Sequence, residues 1–137
     1  MRGENLITVQ EYQDLAGKNR YRAWFNDLDV AAAVKVTTAI ERIAQGNRSS
    51  LKPVGEGVSE YKLDWGPGYR IYLGQDGETL VILLGGGTKQ GQNVDIENAQ
   101  EAWLEYKQRK AAQREAAAKA VLKGKSKSKP KVQKRRK

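Results

Sequence analysis

The segment that decides the fold is SEYKLDWGPGYRIY, residues 59–72, because its side chains alternate between two chemical classes. Tyr61, Leu63 and Trp65 are apolar or aromatic, whereas the residues between them are charged. Successive side chains of a β-strand point to opposite faces, so this alternation predicts a strand with one core face and one polar face. The following Gly-Pro-Gly sequence, residues 66–68, predicts a turn and therefore an antiparallel hairpin.

A loop made of those three residues would fix the register of the hairpin. In that register Trp65 pairs with Tyr69, and Lys62 pairs with Tyr72, so the apolar faces of both strands coincide. We expect the opposite face to be polar and to lie off the core. That polar face consists of Glu60, Lys62, Asp64, Arg70 and Tyr72.

A strand at Leu6–Tyr12 and two amphipathic helices are predicted before the hairpin. Asp27 or Asp29 is the expected N-cap of the second helix, and Gly46 is its expected end. Both helices carry apolar residues at helical spacing, which predicts an αα-hairpin. The first stripe consists of Tyr21, Trp24, Phe25 and Leu28. The second consists of Ala33, Val36, Ile40 and Ile43.

The segment after the hairpin predicts a further strand and a last helix. Leu80–Leu84 is apolar on both faces, as expected of a central strand, and an Asp-Gly turn signal precedes it. The helix is expected to start near Asn93 or Asp95. The order of strand, αα-hairpin, antiparallel meander of three or four strands and C-terminal helix predicts an α+β domain. The expected buried stripe of the last helix is Ile96, Ala99, Trp103 and Tyr106.

The positive charge of the chain is concentrated at its C-terminal end. Residues 119–137 hold ten Lys or Arg and no acidic residue, so subtracting these ten from the net charge of +9 leaves −1 for the rest. We therefore divide the chain into a folded domain, residues 1–110, and an appendage, residues 111–137. The appendage is expected to be an Ala-rich helix projecting into solvent and, from Gly124, a disordered basic tail.

Composition excludes several kinds of functional site and argues against membrane insertion or secretion. The chain has neither cysteine nor histidine, which rules out disulfides and thiolate metal sites and removes the commonest general base. We expect no cofactor, and catalysis would have to use Lys, Arg, Tyr, Asp or Glu. The chain has no apolar run of about 20 residues and no signal-peptide pattern, so we expect a cytoplasmic protein without a membrane partner.

The predicted polar face has the composition of a phosphodiester site. Lys62 and Arg70 suit stabilisation of charge on a phosphorane, and the glycines of residues 85–87 would let a ligand approach near Lys89. The base that activates a ribose 2′-OH is left open between Lys62, Tyr72 and Glu60, and clustered cations would lower the pKa of Lys62 or Tyr72. A purely solvated polar face is the competing interpretation.

Two stretches of the chain resemble a known protein family. The sequences GNRSSLKPVGEGVSEYKLDWGPGYRIYLG, residues 46–74, and LVILLGGGTK, residues 80–89, closely resemble RelE/HigB-type toxins of the phage-derived killer-protein group. The likeness covers about residues 5–110. It implies a RelE-like fold and a type II toxin that cleaves mRNA in the ribosomal A site, inhibits translation and uses no metal. It also implies a cognate antitoxin, often a helix-turn-helix DNA-binding protein.

The resemblance assigns roles to individual positions. Lys62 stands where related toxins have a catalytic lysine, Arg70 where they have a phosphate-binding arginine, and Lys89 where they keep a basic residue. Asp64 departs from the pattern, because some members have a second catalytic lysine there, and it is free to pair with Arg70 instead. Glu60 and Tyr72 complete the candidate catalytic set. The candidate RNA-binding residues are Lys52, Tyr69, Lys123, Lys125 and Lys127.

Two other functions remain open from sequence. One is a non-catalytic module that binds RNA or the ribosome, and the other is a ParE-like inhibitor of DNA gyrase, since a fold alone does not fix a target. The basic tail fits polyanion binding through counterion release, with ribosomal RNA as the natural target, but it equally fits a solubilising segment.

Overall fold

The computed structural model describes residues 6–128 of the chain, with side chains described as far as Lys123. It contains five strands and three α-helices in the described part, and a single 3₁₀ turn at Lys89–Gly91. The strands are β1 (Thr8–Glu11), β2 (Leu51–Gly55), β3 (Val58–Leu63), β4 (Tyr69–Gln75) and β5 (Leu80–Gly87). The helices are α1 (Arg20–Asn26), α2 (Val30–Ala44) and α3 (Gln92–Ser128).

The five strands form one mixed sheet in the order β1-β5-β4-β3-β2. Strands β2 to β5 form the predicted antiparallel meander, and β1 adds a parallel edge next to β5. The interior position of β5, between β1 and β4, agrees with its composition, because Val81–Leu84 is buried throughout. The predicted α+β class is therefore confirmed.

One face of the sheet packs against α1 and α2. Asp29 caps α2, since its carboxylate accepts a hydrogen bond of 2.8 Å from the Ala32 amide. The buried stripe of α2 is shifted from the predicted one at two of its four positions, because Ala33 and Ile40 are only half-buried. Small Ala side chains let α2 lie close to the sheet. The buried residues of α2 are Ala32, Val36, Ala39 and Ile43.

The opposite face of the sheet is covered by the first part of α3. Ala99, Ala102 and Trp103 are buried there, and the Trp103 ring fills the space above Gly74. The prediction that this face lies off the core is therefore wrong for Glu60, Arg70 and Tyr72, which are buried. A strand pattern shows that a face is polar, but it cannot show which distant helix packs on it.

The predicted register of the β3–β4 hairpin is also wrong, by two residues. Lys62 pairs with Arg70 and Leu63 with Tyr69, so the loop is residues 64–68 rather than the three residues Gly-Pro-Gly. The extra length is stabilised within the loop, where the Gly68 amide donates to the Trp65 carbonyl over 3.1 Å. A slip of two residues preserves the faces, so the predicted grouping of side chains survives.

Contacts within the chain divide it after Glu105 into two units. The beginning of α3, up to Glu105, belongs to the first unit with the sheet, and Tyr106 begins the second. The helix runs to Ser128 and so extends into the segment predicted to be disordered, while the rest of the predicted tail, residues 129–137, lies outside the described residues. None of the described helices is long and apolar enough to span a bilayer.

Two adjacent glycines of β5 give a test of the α1 packing. A methyl group on Gly86 would overlap the Trp24 ring, whereas one on Gly85 would meet no atom within 4 Å. We expect Gly86→Ala to lower the free energy of unfolding by about 1–3 kcal/mol, as for other overpacked cores. Gly85→Ala is the matched control and should change it by less than about 1 kcal/mol. Urea denaturation measures both, and equal effects would contradict this packing.

Candidate functional site

The predicted catalytic residues form an exposed set and a buried set. Lys62 and Lys89 are exposed, whereas Glu60, Arg70 and Tyr72 retain only 2%, 4% and 0% of their accessible surface. All five lie on β3, on β4 or in the turn after β5. The sequence therefore predicts which strands carry these residues, but it does not predict their burial.

Glu60 and Arg70 form a buried ion pair on neighbouring strands. Arg70 Nε lies 3.7 Å from Glu60 Oε1, and Arg70 Nη1 donates to the Gly68 carbonyl over 2.7 Å. Gln92, in the first turn of α3, donates to the same Glu60 oxygen over 2.7 Å. Because its carboxylate is held by both neighbours, Glu60 orients Arg70 rather than standing free as a base.

Tyr72 lies deeper on the same face and is a neutral phenol at physiological pH. Burial raises the pKa of Tyr72, and the nearby carboxylates of Glu60 and Asp95 raise it further. The prediction that clustered cations would lower its pKa is therefore wrong. The Tyr72 hydroxyl and Arg70 Nε are both buried without a hydrogen-bond partner, so each retains an unused donor.

Sequence reasoning missed Gln92 and Asp95, which cover this cluster from α3. The Asp95 carboxylate occupies the space that a side chain on Gly87 would need, and burial raises the pKa of Asp95. The run of three glycines could have indicated that another group approaches this backbone closely. We expected the approaching group to be a ligand, but at Gly87 it is a carboxylate of the chain itself.

Three cationic residues, Lys62, Arg70 and Lys89, lie on the strands and the turn around the loop end of the β3–β4 hairpin. Lys62 is the cross-strand partner of Arg70 and lies 3.5 Å from Asp64, which is exposed and does not pair with Arg70 as one alternative predicted. A Cβ on Gly68 would lie 3.2 Å from Arg70 Nη1 and 3.6 Å from the Lys89 Cβ. Lys89 therefore reaches the same rim as Arg70, from the turn that follows β5.

The candidate RNA-binding residues are more widely spread. Lys52 pairs with Glu60 across β2 and β3 and is exposed, so it flanks the buried cluster. Tyr69 is half-buried and contacts the rings of two tryptophans. Lys123 is exposed in the second unit. The side chains of Lys125 and Lys127 lie outside the described residues.

The described residues offer no group of three or more Asp or Glu side chains arranged to hold a metal ion. The side chains of the predicted catalytic set supply ammonium, guanidinium and phenol donors. Such donors bind and polarise anionic oxygens, and phosphate is the anion whose geometry suits an arginine fork flanked by lysines.

The burial of the ion pair predicts a structural role for Arg70, contrary to our expectation that this side chain lies off the core. Arg70→Ala leaves the Glu60 carboxylate buried without its cation, and we expect a loss of about 3–5 kcal/mol in the free energy of unfolding. Lys62→Ala, the control at an exposed position on the partner strand, should cost less than about 0.5 kcal/mol. Chemical denaturation compares the two, and similar midpoints would show that Arg70 is solvated.

Comparison with known proteins gives one informative relative. No protein-family model matches the chain, and no solved structure matches it significantly. An uncharacterized protein of Haemophilus influenzae (strain ATCC 51907 / DSM 11121 / KW20 / Rd) is 39% identical over 80 residues, which are 58% of this chain and 81% of that protein. The chain therefore belongs to the same family as this Haemophilus influenzae protein.

Proposed function

We propose that the chain is a RelE/HigB-type toxin with a RelE-like fold, a metal-independent endoribonuclease that cleaves ribosome-bound mRNA and inhibits translation. The observation that carries the proposal is that Lys62 is the cross-strand partner of Arg70, while Arg70 and Lys89 both flank Gly68. These are the positions at which the sequence resembles that toxin group. Two of the three cations are exposed and available to a polyanion.

The proposed reaction is an internal transesterification of RNA. The ribose 2′-OH attacks the adjacent phosphorus and loses its proton, the bond from phosphorus to the 5′ oxygen breaks, and that oxygen takes up a proton. The products are a 2′,3′-cyclic phosphate and a 5′-hydroxyl, and no external reactant is needed. DNA lacks the 2′-OH and is not a substrate for this step.

The buried and exposed residues have different parts in this reaction. Lys62 and Lys89 hold the phosphate from solvent, and the Arg70 guanidinium, whose Nη1 lies beside Gly68 at this rim, stabilises the charge on the phosphorane. Glu60 is a positioning residue for Arg70. Tyr72 is a neutral, buried phenol beside Glu60 and Arg70 and is not the base. Because Lys62 acts here as a cation, the proton of the 2′-OH passes to water.

The proposed partners follow from the proposed reaction. Ribosomes and mRNA place the protein in the cytoplasm, and a freely acting nuclease of this kind requires a cognate antitoxin, for which a helix-turn-helix DNA-binding protein is the expected type. The exposed Lys52 and Lys123 add sequence-independent attraction to RNA, which weakens as salt rises.

A second candidate, an RNA- or ribosome-binding module without cleavage, is favoured by a specific observation. Arg70 and Tyr72 are buried beneath the first turns of α3, where Gln92 and Asp95 lie. If that cover is permanent, only the exposed lysines meet RNA and the surface supplies affinity alone.

Cleavage of mRNA on translating ribosomes, with the RNA ends mapped, tests the proposal. We expect Lys62→Ala and Lys89→Ala each to lower the cleavage rate by about 10²-fold, as for the loss of one preorganised charge stabiliser. Arg70→Lys keeps the buried charge but loses the planar fork, and it should lower cleavage similarly with a smaller effect on stability. Lys18→Ala, exposed in the loop before α1, is the control and should leave the rate unchanged.

The RNA ends and the binding data separate the alternatives. Cyclic-phosphate and 5′-hydroxyl ends support the transesterification, whereas 5′-phosphate and 3′-hydroxyl ends, the products of attack by water, would rule out the proposed mechanism. Ribosome binding without any cutting would establish the binding module. DNA damage with intact mRNA, insensitive to Lys62→Ala, would point to gyrase instead.

A further inference from the structure

A second surface lies between α2 and the end of β3 and shares Lys62 with the predicted catalytic rim. It is a groove of about 600 Å³. One wall is a single stripe of α2 and the other is residues 61–65, at the end of β3 and the start of its loop. The α2 wall consists of Ala31, Val34, Lys35, Thr38, Ala39 and Arg42.

The groove is open because the sheet is incomplete at this corner. Strand β2 begins opposite Tyr61, so Lys62 and Leu63 have no strand neighbour on that side in the described part of the chain. The stripe on α2 covers eleven residue steps, which corresponds to about 16 Å, or three helical turns. The space therefore matches a short helical segment of another chain.

The walls of the groove present aliphatic and aromatic surface to solvent. Val34 is 59% exposed and Trp65 is 36% exposed, and the half-buried Leu63 also lines the groove. Ala31 and Ala39 keep the wall shallow enough for side chains to enter. Exposed apolar surface of this kind in a groove is typical of a protein-binding site.

Cations surround this apolar surface. Lys35 and Arg42 line the α2 wall, and Lys62 lines the strand wall, with Asp64 as the one acidic residue beside them. Neither Lys35 nor Arg42 pairs with a carboxylate in the described part of the chain. These two are seven residues apart on α2, about 10.5 Å along its axis, and carboxylates two helical turns apart on a partner would face both of them.

The aromatic residue of the groove is poorly placed for a nucleobase. The Trp65 ring stacks on Tyr69 at a centroid distance of 5.9 Å, and Lys35 Nζ lies 5.3 Å from its centre. Binding of single-stranded RNA relies on open aromatic faces, and this ring already has Tyr69 and Lys35 as neighbours. Aliphatic side chains require only the apolar walls that are already present.

We propose that this groove binds an acidic amphipathic helix of a partner protein, with aliphatic side chains against Val34 and Leu63 and carboxylates against Lys35 and Arg42. The negative charge of such a partner complements the cations of the groove. The apolar side of its helix covers the end of β3. The inference does not depend on RNA cleavage, because none of the residues that define it, apart from Lys62, belongs to the proposed catalytic set.

A display library of random 16-residue peptides, selected against the full chain, tests this site. We expect the bound peptides to combine Glu or Asp with Leu, Ile or Val at helical spacing. Lys35→Glu or Arg42→Glu should then weaken the best peptide at least about tenfold in fluorescence anisotropy, as expected for reversing one partner of a charge pair. Lys18→Glu, an exposed cation outside the groove, is the matched control and should change little.

Charge exchange makes the test independent of folding defects. Replacing the peptide carboxylates by Lys should abolish binding to the parent chain and restore it to the Arg42→Glu variant. Failure to enrich acidic amphipathic peptides, or enriched peptides that are indifferent to both charge reversals, would overturn the proposal. A ten-residue RNA that binds the parent and loses affinity on Arg42→Glu, with no such peptide found, would identify the groove as a nucleic-acid site instead.

Discussion

A carboxylate and a guanidinium meet in the interior of this domain, on two neighbouring strands. Protein groups must replace the hydration that both have lost, and this requirement constrains the segments around them. Water reaches little of Glu60 or Arg70, so protein groups must replace most of it. The Gly68 carbonyl and the Gln92 amide do so. The loop that carries Gly68 and the first turn of α3 that carries Gln92 are thereby tied to the same pair, which couples the hairpin register to the position of the last helix.

This arrangement separates the charged residues by environment. Arg70 is held in one orientation by buried neighbours, whereas Lys62 and Lys89 extend from the rim into solvent. Exposed lysines attract an anion over a long distance. An arginine that is already held in one orientation then binds the anion with a defined geometry and loses little further side-chain entropy. The pairing of mobile and fixed cations suits the binding of a phosphate that arrives from solution. The α2 groove adjoins this rim at Lys62.

Local pattern predicted much of this fold, and long-range packing explains the errors. The alternation in residues 59–72 correctly placed Glu60, Lys62, Arg70 and Tyr72 on one face. A register shift of two residues leaves every side chain on the same face of the sheet. Two of the four residues predicted to form the buried stripe of α2 differ from those observed, since alanine lies on both sides of that stripe. The cover provided by Gln92 and Asp95 had no local signal except the glycines of β5. The burial of Glu60, Arg70 and Tyr72 could therefore be learned only from the structure.

The parallel pairing of β1 with β5 also determines when the domain can be completed. Thr8 pairs with Leu80, so the first strand to leave the ribosome finds its neighbour only after the last strand has been made. Until then the apolar face of the αα-hairpin and the edge of β1 lack their sheet, which exposes them to chaperones or to self-association. Because Lys89 and Gln92 follow directly after β5, the cationic rim and its buried support assemble in the same late step as the sheet. A truncated or stalled chain therefore lacks both fold and site.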